Sequence, residues 1–181
     1  IRIVKDFDKK LWVGLSLESP AAQLTGTVPG GVIVNNPGSG QLGNGTPASN
    51  FAIDPGPDVI AKVAADPGFG HYELFGITRW FRSRVVSGAT NNTVNGVGGG
   101  GSAVIPVIPK KLDIQVSFMI GKGMGRYGSG QLPDVTVDNV GHLHTIPYKS
   151  VLLGLVGHPD PEWDVYMYGG TEQVEKRYFT T

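Results

Sequence analysis

The chain has 181 residues with 15 basic and 15 acidic side chains, and this balance argues against nucleic acid or an acidic membrane surface as a partner. It contains no cysteine, which excludes disulfide bonds and thiolate sites for metals or redox chemistry. No apolar run approaches the roughly 18 residues of a transmembrane helix. The first residues lack both an initiator methionine and a signal-peptide core, so we expect a fragment of a longer protein.

The dominant pattern along the chain is the two-residue alternation of β-strands. Between residues 11 and 18, apolar positions alternate with Trp12, Gly14, Ser16 and Glu18. The proline-bounded window 58–66 is short for a helix, and we predict a strand there. Between 112 and 120 the apolar residues oppose Asp113, Gln115 and Ser117. This run exceeds the usual strand of about five or six residues and suits a tilted strand that crosses a bilayer.

A repeat of roughly 50 residues organises the sequence. Residues 8–17, 65–80, 109–118 and 160–169 each join a polar or proline-rich turn to an alternating run. The repeat predicts pairs of strands that are joined by short turns and separated by long loops. The short turns are predicted at 6–10, 65–71, 109–111 and 158–162, and the long loops at about 19–57, 85–98 and 121–147.

The predicted fold class is all-β, an antiparallel meander of about eight strands in which residues 1–181 form a single segment of a transmembrane β-barrel. A barrel turns apolar side chains to lipid and polar side chains to a watery lumen, with short turns at one end and long loops at the other. Aromatic residues near the predicted strand ends would form an interfacial girdle: Trp12, Phe69, Tyr72, Trp80, Tyr148 and Trp163. The alternative is a soluble sandwich or propeller, whose apolar face packs against a second layer.

Several stretches carry a resemblance to a known family: PDVIAKVAADPGFGHYELFG, RWFRSRV, KKLDIQVSFMIGKGMGRYGSGQLPDVTV and HPDPEWDVYMYGG. They resemble an uncharacterised porin-like family of Gram-negative soil bacteria, over most of residues 8–172. The resemblance implies an outer-membrane β-barrel with passive solute passage, and it implies no catalytic residue. The chains of that family extend on both sides of this segment.

Three motifs that suggest a catalytic or metal site lack the context they need. Gly123, Gly125 and Gly128 fit G-x-G-x-x-G, but the residues that follow cannot form the helix whose N-terminus would hold a phosphate. We therefore predict a loop by which the strand leaves the sheet. Ser129 lacks the spacing of a nucleophile elbow. His142-Leu-His144 has a spacing compatible with zinc, but a histidine pair in a loop is more often solvated. We expect no enzyme, no cofactor and no metal.

One charge cluster, at residues 79–84, suggests a function. If Trp80 faces lipid, Arg79 points into the lumen, while Arg82 and Arg84 lie near its rim. Arginines on a pore wall raise the local concentration of anions. In the competing interpretation, acids on neighbouring strands pair with these arginines and stiffen the wall. The predicted pore-lining set is Glu18, Glu73, Arg79, Arg82, Arg84, Asp113 and Gln115.

Together these patterns predict a porin-like barrel wall in the cell outer membrane. Its partners would be the lipid bilayer and small hydrophilic solutes, anions among them. A homo-oligomer is compatible with these patterns, and we expect no nucleic acid as a partner. The alternative function is that of a secreted or cell-surface binding module built on a soluble β-sandwich or propeller.

Overall fold

The computed structural model describes residues 1–34, 55–85 and 87–176, whose regular structure is almost entirely β-strand. The elements are β1 (Arg2–Phe7), β2 (Leu11–Glu18), β3 (Leu24–Thr25), β4 (Val32–Val34), β5 (Asp58–Ala65), β6 (His71–Val85), β7 (Thr90–Ile108), β8 (Leu112–Lys122), a 3-10 turn (Gly125–Tyr127), β9 (Val135–Val137), β10 (Leu143–Thr145), β11 (Pro147–Asp160) and β12 (Trp163–Val174). The prediction of an all-β chain is confirmed, including the strand at 58–65.

The longer strands form one antiparallel sheet in the order β1-β2-β5-β6-β7-β8-β11-β12. Each of them pairs with the next long strand along the chain, which is the predicted eight-stranded meander. The short strand β4 pairs with the end of β6 that β5 does not reach. Over the described residues the sheet has β1 and β12 as its edges and is not closed into a barrel.

Four short turns lie together at one end of this sheet, at the places where the sequence predicts them. In the first, Asp8 and Lys9 have φ angles of 56° and 54°. Positive φ at both central residues is the feature of the hairpin turn whose twist matches that of its strands. Lys110, in the turn between β7 and β8, also has a positive φ, 62°.

The long loop predicted at about 85–98 is wrong. Strand β6 continues to Val85, β7 begins at Thr90, and β6 pairs with β7 along the whole length of β6. The start of β7 reads NNTVNGVGGG, and its asparagines and glycines hide the strand, because β-propensity depends on cross-strand neighbours more than on residue type. The other predicted loops are connections at the opposite end from the short turns; of 19–57, residues 35–54 lie outside the described residues.

The two faces of the sheet differ in composition. Paired residues on adjacent strands share a face, so the register assigns each strand residue to one side. The apolar face includes Leu11, Val13, Leu15, Leu17, Val63, Leu74, Leu112, Ile114, Val116, Phe118, Ile120, Val151, Leu153, Leu155 and Met167. The polar face includes Arg2, Asp6, Glu18, Asp58, Lys62, Glu73, Arg79, Asp113, Gln115, Ser117, Ser150 and Glu172.

Within the described residues, no second sheet or helix covers the apolar face. Phe118, Ile120 and Leu153 are 45%, 63% and 56% exposed. Their side chains contact neighbours on the same sheet and otherwise face the surroundings. None of the helical residues in the described ranges belongs to a helix long and apolar enough to span a membrane.

The buried core lies on the polar face instead. The connection between β2 and β5 and the connection between β8 and β11 fold back over this face at the long-loop end. There β9 pairs with β10 and β3 in a small second sheet. Apolar residues of that sheet pack against β6 in a buried cluster of Ala22, Phe81, Val135, Val137 and Leu143.

A second buried cluster contains Ile77, Met124 and Tyr148. Met124 is fully buried over Gly98 and Gly121, which pair across β7 and β8. A Cβ atom at either glycine would lie 2.9 Å from the Met124 side chain, so the two glycines leave the space that this methionine fills. Because Tyr148 is buried here on the polar face, its predicted place in an interfacial girdle is wrong. The same holds for Trp12, which pairs with Asp6 and Ala64 on the polar face.

Candidate pore-lining face

The structure divides the predicted pore-lining residues between the two faces. Glu18, Glu73, Asp113 and Gln115 lie on the polar face together with Arg79. Arg82 and Arg84 lie on the apolar face near the long-loop end. Their prediction as pore-lining residues is wrong, because their side chains point to the same side of the strand as that of Trp80, opposite to that of Arg79. They bond to β7, through Thr93 Oγ1 at 3.2 Å and Asn91 Oδ1 at 3.1 Å.

Arg79 is the centre of a buried polar cluster and is only 1% exposed. Its Nε donates to Asp58 Oδ2 at 2.9 Å, and its Nη1 donates to Asp134 Oδ1 at 2.7 Å. The other bonds go to backbone carbonyls, from Nη1 to Gly123 at 2.5 Å and from Nη2 to Ala21 at 2.6 Å. The guanidinium group thus joins two strands of the sheet to both long connections.

Aromatic rings enclose the same guanidinium group. Its carbon lies 4.8 Å from the ring centre of Phe81 and 5.1 Å from that of Tyr127. The Tyr127 hydroxyl donates to Asp58 Oδ2 at 2.8 Å. Burial and the adjacent Asp58 carboxylate raise the pKa of Tyr127, so this hydroxyl keeps its proton and remains a donor.

Asp134 fixes the connection between β8 and β11 to the connection after β2. Its carboxylate accepts hydrogen bonds from the backbone N–H groups of Gln23, at 2.8 Å, and Arg126, at 3.0 Å. Burial raises the pKa of Asp134, while Arg79 and these N–H groups act in the opposite direction. The arrangement supports the wall-stiffening interpretation for Arg79, whose charge is compensated and sealed from solvent.

Glu73 lies in a network nearer the short turns. It forms an ion pair with Lys62 on β5 and accepts a hydrogen bond from Ser102 on β7 at 3.2 Å. His71 lies between Glu73, at 3.3 Å, and Asp66, at 2.5 Å. This network is partly exposed on the polar face.

A second partly exposed network surrounds His158, on β11. Its Nδ1 lies 2.6 Å from Asp164 on β12, and its Nε2 lies 3.3 Å from Asp113 on β8. Nearby, the Tyr168 hydroxyl donates to Gln115 Oε1 at 3.0 Å. Asp113 and Gln115 therefore lie where the sequence predicts, in contact with partners on neighbouring strands.

The histidine pair considered for zinc contacts one loop carboxylate. His142 Nδ1 lies 3.7 Å and His144 Nε2 3.0 Å from Asp138 Oδ2. No group of three or more potential metal ligands occurs in the described parts of the chain. Asp138 also accepts hydrogen bonds from the N–H groups of Val140 and His142, so it organises the tip of this connection.

The glycine-rich segment after β8 leaves the sheet, as predicted for an exit loop. Gly123 has a φ of 70°, in the left-handed region that glycine tolerates. The chain then forms a single 3-10 turn at Gly125–Tyr127 and folds over the polar face. Arg126 of this turn donates to the carbonyl groups of Ser19 and Ala21, at 2.6 and 3.1 Å.

Sequence reasoning missed several of the charged residues on the polar face: Asp58, His71, Asp134, His158 and Asp164. Asp58 occupies a strand position whose side chain points to the polar face, so the sequence could have placed it on the same side of the sheet as Arg79. Asp134 had no such signal, because its loop position gives no indication of which strand it would contact.

Comparison of the chain with protein-family models, with curated proteins and with solved structures found no match. The resemblance to a porin-like family stays a prediction.

Proposed function

We propose that this chain forms part of the wall of an outer-membrane β-barrel that allows passive passage of small hydrophilic solutes. In this proposal the apolar face contacts lipid, and the polar face lines a water-filled path. The chain has no catalytic role.

The observation that carries the proposal is the uncovered apolar face. Large apolar side chains on β2, β8, β11 and β12 are substantially exposed, although the same sheet has a packed layer over its other face. Soluble monomers rarely expose an apolar surface of this extent, whereas a membrane barrel requires one. The strands β6, β7, β8, β11 and β12 have 15, 19, 11, 14 and 12 residues, each enough for a tilted bilayer-spanning strand, which needs about 9–11.

The alternative of a soluble binding module needs a second layer on the apolar face. The small sheet of β3, β9 and β10 would be the natural candidate for such a layer. It packs against the polar face instead. Within residues 1–34, 55–85 and 87–176, no other sheet is available to cover the apolar face.

A matched pair of lysine substitutions tests the proposal. Leu152 and Leu153 are neighbours in the middle of β11, but Leu152 pairs on the polar face and Leu153 on the apolar face. The cost of lysine on a lipid-exposed strand is about 2–4 kcal/mol at the bilayer midplane. We expect Leu153→Lys in the full-length protein to impair folding into phospholipid vesicles and Leu152→Lys to be tolerated, as measured by heat-modifiable migration on detergent gels.

The soluble alternative predicts the opposite result. A soluble module would fold in water without detergent or lipid, and neither substitution would make its folding depend on vesicles. A folded, detergent-free monomer of the full-length protein would therefore contradict the proposal.

A further inference from the structure

We infer that the path along the polar face prefers cations to anions, an inference that rests on the proposed function and names its class of solute. The arginine cluster in the sequence suggested the opposite preference. The structure removes each of those arginines from the path.

Arg79 cannot attract a passing anion, because it is buried and bonded to two carboxylates. Arg82 and Arg84 lie on the other side of the sheet. The basic residues that remain on the polar face of the long strands are Arg2 and Lys62, and each is paired with a carboxylate. Arg2 lies 3.8 Å from Glu18, and Lys62 contacts Glu73. Arg126, on the connection that folds over this face, also lies near a carboxylate, 3.7 Å from Asp58.

The acidic residues of the polar face are more numerous than these cations. They include Asp6, Glu18, Glu73, Asp113, Asp164 and Glu172, while Asp58 is buried with Arg79 and is not counted. Asp113 and Asp164 matter most, because within the described residues the ionisable partner of both is His158, with no lysine or arginine in a salt bridge to either. The side chains of Asp113 and Asp164 are 24% and 69% exposed, so both are accessible to a permeating ion.

The charges on the apolar face supply an independent observation. Apart from Asp160, which pairs with Trp163 at the short-turn end of β11, the charged residues in its paired positions are basic: Lys5, Arg82, Arg84, Lys122 and Lys149. Because the whole chain has a formal net charge of zero, the acidic excess on the polar face is a separation of charge between two faces and does not reflect an acidic composition. Carboxylates that line a pore raise the local concentration of cations and lower that of anions.

The test is the reversal potential of the full-length protein in a planar bilayer under a potassium chloride gradient. We expect wild type to favour potassium over chloride. Replacing Asp113 and Asp164 together by asparagine should lower the permeability ratio by about fivefold or more at low salt, because one unit charge acting across about 4 Å of water already changes the local concentration of an ion by about that factor. Arg82→Gln, on the apolar face, is the matched control and should leave the ratio unchanged.

The outcomes separate the two ideas. Conduction with a preference for chloride, or a ratio insensitive to the Asp113 and Asp164 substitutions, would overturn the inference and leave the proposed function standing. A protein that inserts but conducts nothing would overturn both. If the double variant fails to fold on the detergent gel, the wild-type reversal potential still decides the sign of the preference.

Discussion

Replacing Arg79 with methionine should release both long connections from the polar face. Methionine keeps much of the aliphatic stem, but it leaves Asp58 and Asp134 buried without their guanidinium partner and removes the donors to two backbone carbonyls. Removing one member of a buried ion pair costs about 3–5 kcal/mol. Since these bonds join the two long connections to the sheet, the substitution should weaken the packing of the connections first and the hydrogen bonds between strands second.

The assay combines two readouts on the full-length protein in vesicles. Trypsin should cut after Arg126 much faster in Arg79→Met than in wild type, because the 3-10 turn that carries Arg126 detaches. Urea titration should show a lower free energy of unfolding. Arg82→Met, on the opposite face with a single exposed hydrogen bond, is the control and should change stability by no more than about 0.5 kcal/mol.

A double-mutant cycle then assigns the loss to the ion pair. Asp134→Asn keeps the shape of the side chain and removes its charge, so it should cost much less in the Arg79→Met background than in wild type. The coupling between contacting residues of one network is about 0.5–3 kcal/mol. Additive effects, or an Arg79→Met variant as stable and protease-resistant as Arg82→Met, would refute the reasoning.

Two further predictions follow from the connection between β8 and β11. Gly98→Ala should destabilise the protein by about 1–3 kcal/mol in urea titration, because its Cβ would lie 2.7 Å from the Ile120 carbonyl oxygen and 2.9 Å from Met124 Sδ, while Gly169→Ala, which has open space around it, should not. Burial acts to raise the pKa of Asp138, but hydrogen bonds from His144 and two backbone N–H groups lower it below the ordinary 3.8. Its contribution to stability is therefore present above about pH 3.8 and lost as the pH falls through the lowered value. Carbon-13 NMR titration should give a pKa below 3.8; a value at or above it would contradict this assignment.

The division into two faces and the positions of the short turns could be predicted from the sequence. Strict alternation at 112–120 fixes which side chains share a face, because successive strand residues point to opposite sides. Turns such as 8–10 and 109–111 break that alternation with charged residues, which makes them visible. Even the strand at 58–65 followed from the repeat, although its residues also fit a short helix.

The contacts of the candidate site could not be predicted in the same way. Asp134 and Arg79 are 55 positions apart in the chain, and no periodic pattern links a loop residue to a strand residue. The parity of Arg82 was available from the sequence, yet its proximity to Arg79 along the chain suggested a shared role. The glycines of β7 look like a loop in isolation. The structure explains Gly98 and its partner Gly121 on β8, because a Cβ at either would lie too close to the backbone of the paired strand and to Met124.

The position of the core favours a lumen over a soluble interior. A soluble sheet hides its apolar face, because burying that surface is the main favourable contribution to folding. Here the side chains of Ile120 and Leu153 stay exposed, while a charged cluster around Arg79 is buried on the opposite face. Burying charges is penalised by the loss of their hydration, whereas burying hydrocarbon is favourable, so this arrangement is unfavourable in water. The arrangement is favourable if lipid covers the apolar face. The loops inside a polar channel are then held to the wall by ion pairs and hydrogen bonds, because the apolar face of the sheet is not available to them.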